Sequence, residues 1–251
     1  MESVDPRLGQ MLVVIPAHSE EESLSAVLRT AKDLGYRVVV VDDASEDDTG
    51  GIARSSGAML VPLANRLGAW GATQAGLRYA LARDTGIVVT LDADGQHEPA
   101  HVHELMAPLL AGTADVVIGS CPVRVSRLRR WAWRYFRWLT GLNVHDLTSG
   151  FRAYNRRAIE VLSSRDAALL DYQDVGVLML MRAEGLRVQE VPVEIGSRRN
   201  GISRVFPSWW VVARYMIETT VLCISHLHIP GSSRRGYPAT LAARQATTRR
   251  P

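Results

Sequence analysis

A chain of 251 residues with the apolar and charged shares of an ordinary globular protein can bury one sizeable core, so a single large domain is expected. Cys121 and Cys223 lie far apart and outside any CxxC pattern, which excludes a disulfide framework and a cysteine zinc site. The net charge of +3 is small, but six arginines fall between Arg124 and Arg137 and no acid follows Ser232, which points to an anionic partner near one face.

The first half alternates β-branched apolar runs with longer helical patterns, the signature of a parallel α/β sheet. Strands are expected at Met11–Ile15, Arg37–Val41, Ala58–Pro62, Ile87–Leu91 and Asp115–Gly119, and helices at Glu20–Leu34, Asp47–Ser56, Trp70–Arg83 and Glu98–Leu110. Ligands of such sheets bind beyond the carboxyl ends of the strands. That rule gathers Pro16–Glu22, Asp42–Ser45, Asn65–Gly71 and Asp92–Gln96 around one crevice.

The second half is less regular. A Trp- and Arg-rich helix is expected over Val125–Thr140, then the polar turn HDLTSGF, a helix near Tyr172–Glu184, a strand at Arg187–Ile195 and the basic loop Gly196–Arg204. Phe206–Ile229 is apolar but carries Arg214 and Glu218 near its middle, so an amphipathic interfacial helix over 205–229 is expected, not a membrane span. Residues 230–251 read as a basic disordered tail. No basic segment followed by a long apolar core opens the chain, so no secretory signal is expected and the catalytic part is placed on the cytoplasmic side.

The segment TLDADGQH ends an apolar strand with Asp92 and Asp94, whose side chains fall on one side of an extended backbone. Two such carboxylates repel unless a cation lies between them, and hard oxygen donors at this spacing suit Mg²⁺ or Mn²⁺, which takes one or two carboxylates plus substrate phosphate oxygens. Gln96 adds a third candidate oxygen. A solvated turn is the alternative, since DxD is a common pattern.

Six blocks stand in a fixed order: VVIPAHSEEESL (Val13–Leu24), VVVVDDASEDDT (Val38–Thr49), NRLGAWGATQAGLRYAL (Asn65–Leu81), VVTLDADGQHEP (Val88–Pro99), DVVIGS (Asp115–Ser120) and DLTSGFRAYNR (Asp146–Arg156). In this order they resemble the family 2 glycosyltransferases, most of all the branch of dolichol-phosphate mannosyltransferases and bacterial polyprenyl-phosphate sugar transferases. The resemblance implies a single α/β domain of the GT-A fold over residues 1–204, with a Rossmann-like nucleotide-binding half and a mixed central sheet. It also implies a nucleotide-sugar donor, GDP- or UDP-linked, and inversion at the anomeric carbon by direct attack of the acceptor oxygen.

On the donor side the resemblance gives Asp43 the nucleotide base, with Pro16, Ala17 and Glu20 lining base and ribose. Capping of a following helix is the plainer role for Asp42 and Asp43. Asp92, Asp94 and Gln96 would hold the metal against the diphosphate, Asp92 also touching the donor. Asp146 is the acceptor-side candidate, as base or orienting group; a turn-forming Asp is the plainer reading. A phosphate acceptor favours arginines, and RRNGISR fits the lipid-using members' loop through Arg198 or Arg199, Ser203 and Arg204. Where those relatives read GSR this chain has Cys121, with Arg124 as a replacement.

Arginines interleaved with Trp131, Trp133, Tyr135, Phe136 and Trp138 suit a peripheral contact with an anionic membrane surface; plain helix packing with buried tryptophans is the alternative. No RNA-binding motif accompanies them, so no nucleic-acid partner is expected. His97, His101 and His103 lack the HExxH signature and are expected on a helix surface or in the donor pocket. The sequence thus points to a metal-dependent inverting hexosyltransferase acting on a polyprenyl or dolichyl phosphate. Two other readings stay open: the same donor chemistry on a soluble or secondary-metabolite acceptor, and a non-catalytic module that binds nucleotide sugar or membrane.

Overall fold

The computed structural model describes residues 11–121, 127–142, 144–170, 174–194, 216–221 and 223. Its first half runs β1 (Met11–Ala17), α1 (Glu21–Asp33), β2 (Val38–Asp42), α2 (Thr49–Ser55), β3 (Met59–Pro62), α3 (Gly68–Ala82) and β4 (Ile87–Thr90). A short 3₁₀ turn, Pro99–His101, leads into α4 (Val102–Leu110), followed by β5 (Val116–Ser120), α5 (Arg127–Thr140), β6 (Arg152–Asn155), α6 (Arg156–Leu162), α7 (Val175–Ala183) and β7 (Val188–Pro192).

The seven strands form one mixed sheet in the order β3-β2-β1-β4-β6-β5-β7. β6 runs antiparallel to both β4 and β5, and every other pairing is parallel. Alternation along each strand splits the core between two faces. Leu12, Val14, Val39 and Val41 pack with Trp70 and Leu77 of α3 on one side, while Val13, Ile15, Val38 and Val40 pack with Leu24, Val27 and Leu28 of α1 on the other. Burial on both faces is why these strands read as continuous Val/Ile runs. α3 approaches the sheet closely at Gly76, where a Cβ would stand 2.2 Å from Val14 Cγ1.

The expected strands and helices of the first half are all present, with β1 running two residues past Ile15. Two elements went unpredicted: β6 and α6, inside RAYNRRAIEVL. A four-residue strand is too short to show a period, and β6 is filled by Arg152, which is completely buried. Residues 216–221 are helical and lean on the domain: Tyr135 and Thr220 hydroxyls lie 3.4 Å apart, and the buried Cys223 thiol lies 3.7 Å from the Met179 sulfur. Burial pushes that thiol up to about 11, so it packs as an inert group. No helix among the described residues is long and apolar enough to cross a membrane. The expected phosphate contacts Arg124, Arg198, Arg199, Ser203 and Arg204, most of the 205–229 segment and the 230–251 tail lie outside the described residues.

Candidate active site

The carboxyl ends of β1, β2 and β4 lie side by side because Asp43 N–H donates to Ala17 O at 2.8 Å and Leu91 N–H to Val14 O at 3.0 Å. The turns after β1 and β2 are laced together. Ser19 N–H donates to Ser45 Oγ, Glu20 N–H to Thr49 Oγ1 and Glu21 N–H to Asp47 Oδ2, at 2.9, 2.9 and 3.1 Å. Ser19 and Ala44 both hold φ at 54°, a left-handed setting uncommon for residues with a Cβ. Such settings persist where the surroundings over-determine them, as at ligand clamps.

Pro16, Ala17 and Glu20 lie at this corner, Ala17 buried and the other two half-buried. Asp43 is only 3% exposed, and its two oxygens accept the backbone N–H groups of Leu67 (2.6 Å) and Gly68 (2.9 Å). The acid assigned to the nucleotide base therefore also caps α3, a helix 25 residues further on. Asp42 Oδ1 accepts Ser45 N–H at 3.0 Å and shapes the β2 turn. His18 Nδ1 lies 2.9 Å from the Asp43 carbonyl, which can only accept, so that nitrogen carries the proton.

Beyond β4, Asp92 and Asp94 are part-exposed, and Asp94 Oδ1 accepts Gln96 N–H at 3.0 Å. Asp92 meets the loop that follows Asp146 directly: a Cβ on Gly150 would lie 2.5 Å from Asp92 Oδ1, and Thr90 Oγ1 donates to Gly150 O at 2.7 Å. Among the described residues no three His, Cys, Asp or Glu side chains are grouped so as to hold a metal ion. Asp92 and Asp94 are hard oxygen donors of the type that Mg²⁺ or Mn²⁺ takes one or two of beside phosphate oxygens.

Asp146 is buried, 6% exposed, and forms the turn that its sequence suggests. Its Oδ1 accepts Thr148 N–H, Thr148 Oγ1–H and Ser149 N–H at 3.0, 3.3 and 3.0 Å. Burial pushes its carboxyl above the ordinary carboxylate range, against the hydrogen bonds of that turn and the charge of Arg152. Arg152 holds the same loop from beneath, donating from Nε to Ser149 O and from Nη2 to Leu147 O at 2.8 and 3.2 Å. Glu190 on β7 accepts the backbone N–H of His145 and of Asp146, each at 2.8 Å. Gly150, Arg152 and Glu190 were not singled out from sequence, because only the folded topology brings β7 and β6 against this loop.

The histidines divide. His101 and His103 sit on the α4 approach with 22% and 72% of their side chains exposed, whereas His97 is 6% exposed and stacks on Phe151 with ring centroids 5.2 Å apart. α5 divides as well. Trp133 and Phe136 are buried, while Trp131 and Trp138 are 64% and 79% exposed. Trp131 and Tyr135, with Met216, Ile217, Thr220 and Val221, line an apolar groove between α5 and the 216–221 helix.

The family model for glycosyl transferase family 2 matches residues 12–163, and the chain belongs to that family. It is accordingly a glycosyltransferase. Polyprenol monophosphomannose synthase of Mycolicibacterium smegmatis is 32% identical over 216 residues, 77% of this chain and 80% of that protein. Undecaprenyl-phosphate mannosyltransferase of Micrococcus luteus is 32% identical over 232 residues, covering 84% and 93%. Among solved structures, glucosyl-3-phosphoglycerate synthase from Mycobacterium tuberculosis in complex with Mn²⁺, UDP and glucosyl-3-phosphoglycerate is similar with a TM-score of 0.66 at 24% identity, covering 90% of this chain and 84% of that one. That likeness is one of fold, and the mixed seven-stranded sheet is the GT-A domain expected from the sequence.

Proposed function

We propose that this glycosyltransferase moves a hexose from a GDP- or UDP-sugar to a polyprenyl phosphate at a membrane surface on the cytoplasmic side. The observation that carries the reading is the meeting of Asp92 with Gly150. Asp92 stands against the loop that holds Asp146, which supports a reading in which the donor and acceptor sides share one crevice. Relatives named for polyprenol and undecaprenyl phosphate, each matched over most of its length, support the acceptor class.

The acceptor phosphate oxygen attacks the anomeric carbon as the bond from that carbon to the diphosphate oxygen breaks, and the nucleoside diphosphate leaves with the electron pair. A phosphate oxygen is already anionic near neutral pH and needs no strong base. Asp146 then serves to orient, its carboxylate fixing the turn that faces the acceptor. Asp92, Asp94 and Gln96 would hold Mg²⁺ or Mn²⁺, which when bound offsets the charge gathering on the leaving diphosphate. Pro16, Ala17, Glu20 and Asp43 wall the nucleotide, and Arg124, Arg199, Ser203 and Arg204 would receive the acceptor phosphate.

Membrane contact falls to α5 and the 216–221 helix. Trp131, Trp138, Ile217 and Val221 expose apolar surface beside the exposed Arg130 and Arg134, the pairing that suits an anionic interface. A soluble acceptor is the second reading, favoured by Cys121 at a position where an arginine is expected. The deciding assay offers labelled GDP- and UDP-hexoses with Mn²⁺ and polyprenyl phosphate in anionic vesicles. Label should move into the organic-extractable lipid; no labelled lipid, together with labelled product from soluble phosphorylated acceptors offered in parallel, would favour the second reading.

A further inference from the structure

We infer that His97 and Gly150 form a clamp on the carboxylate of Asp92, which makes His97 a positioning residue for the transfer reaction. The inference rests on the reading of Asp92 and Asp94 as the carboxylates that face metal and diphosphate. His97 lies on the segment between Asp94 and the Pro99–His101 turn, and its ring is held flat against the fully buried Phe151, 5.2 Å between centroids and 25° between planes. That stack fixes where its nitrogens point. Nδ1 is buried, lies 3.4 Å from Asp92 Oδ2 and makes no hydrogen bond as it stands. Buried polar atoms without a partner are rare and call for an explanation.

Gly150 closes the other side. Its bare Cα lies where a Cβ would come within 2.5 Å of Asp92 Oδ1 and 3.0 Å of Oδ2, so only glycine lets the carboxylate stand there. The wall is itself fixed from β4, because Thr90, two residues before Asp92, donates to the Gly150 carbonyl. The imidazole beside Oδ2 and the bare Cα beside both oxygens confine the carboxylate from two sides. With the proton on Nδ1, Oδ2 at 3.4 Å is within hydrogen-bond distance, and a slight realignment of the Asp92 carboxylate completes the bond. Partners of this kind, which orient a ligating oxygen without touching the cation, govern metal affinity.

The test uses the full chain and calorimetric titration of Mn²⁺ at saturating UDP or GDP, with thermal melting alongside. His97→Phe keeps the stack on Phe151 and removes the donor, while His97→Asn places an amide N–H close to where Nδ1 sits. His97→Phe should melt like the wild type yet bind Mn²⁺ about 10–100-fold more weakly. His97→Asn should recover most of that loss, and Gly150→Ala should resemble His97→Phe. Unchanged affinity in His97→Phe overturns the clamp, as does a His97→Asn variant that binds no better than His97→Phe. If His97→Phe fails to fold, His97→Asn decides alone: near-wild-type affinity upholds the clamp, and a loss of the His97→Phe size refutes it. A wild-type protein without Mn²⁺-dependent nucleotide binding would instead overturn the underlying reading of Asp92 and Asp94.

Discussion

On the β1–β4 side of the sheet, Asp43, Asp92 and Asp94 stand at or just past the ends of parallel strands, and backbone pairing alone brings those ends together. On the β5–β7 side, Asp146 stands on a loop between α5 and β6, and its place is set by side chains: Glu190 from one strand, Arg152 from another and its own turn with Thr148 and Ser149. The corner beyond β1, β2 and β4 is thus brought together by sheet topology, with side-chain hydrogen bonds lacing its turns, whereas the Asp146 loop is held by individual polar contacts from separate strands.

Two variants test that division. Asp94→Ala removes a carboxylate from the diphosphate side and should lower turnover by roughly 10²–10³-fold or more. Its fold, read by melting temperature, should stay intact because the side chain is part-exposed at a strand end. Glu190→Ala frees the backbone N–H groups of His145 and Asp146. It should depress acceptor kcat/KM by about 10-fold through misplacement of the loop, with donor KM unchanged. Equal effects on donor and acceptor parameters would show that the two sides are not separately held.

The same division decides what the sequence made legible. Strands buried on both faces announce themselves as Val/Ile runs, and the residues following them fall at the ligand edge by rule, so Asp43, Asp92 and Asp94 could be placed before any coordinates. Even there the hydrogen bonds of Asp43 to the N-terminus of α3 were invisible, because they depend on where a distant loop returns. On the acceptor side a four-residue strand containing a buried arginine carries no periodic signal, so β6 and the role of Arg152 were missed. Of the two places expected for His97, the helix surface is ruled out by its burial on Phe151, a contact that only the fold sets. α5 was legible as a Trp- and Arg-rich helix, but the assignment of Trp133 and Phe136 to the core and Trp131 and Trp138 to solvent required the packing of β-sheet and helix.

A smaller effect tests the exposed face of α5 as the proposed membrane contact, apart from both halves of the site. Replacing Trp131 and Trp138 together by Ala should reduce binding to anionic vesicles by about 10-fold while leaving nucleotide binding untouched. Their exposure makes folding tolerant of the change. Turnover of a water-soluble acceptor analogue should also survive. Loss of nucleotide binding in this variant would mean that α5 supports the donor crevice as well.

The smallest effects concern two aspartates whose ionisation has opposite consequences. Asp115, at the start of β5, accepts Arg187 Nε and Nη2 at 3.0 and 3.1 Å and Asn155 Nδ2 at 2.9 Å, and the guanidinium holds its carboxyl well below the usual range. A depressed carboxyl contributes stability above its unfolded value, near 3.9, and loses it as pH falls through the folded value. Asp115→Asn should therefore lower the melting temperature by a few degrees near neutrality, an effect muted by the exposure of Arg187, and the gap should narrow below about pH 4. Asp146 is raised by burial, so the sign reverses: its ionisation costs stability, absent in acid and present once pH exceeds the folded value. Asp146→Asn keeps an oxygen for Thr148 and Ser149 and should match or exceed the wild-type melting temperature at neutral pH, with turnover retained within about 10-fold if the residue orients and does not act as base. A neutral-pH loss of stability in Asp146→Asn would mean that the attraction of Arg152 outweighs burial. The Asp146 loop would then be tied by an ion pair, as the ends of β5 and β7 are tied by Asp115 and the part-exposed Arg187, and the contrast between the two aspartates would disappear.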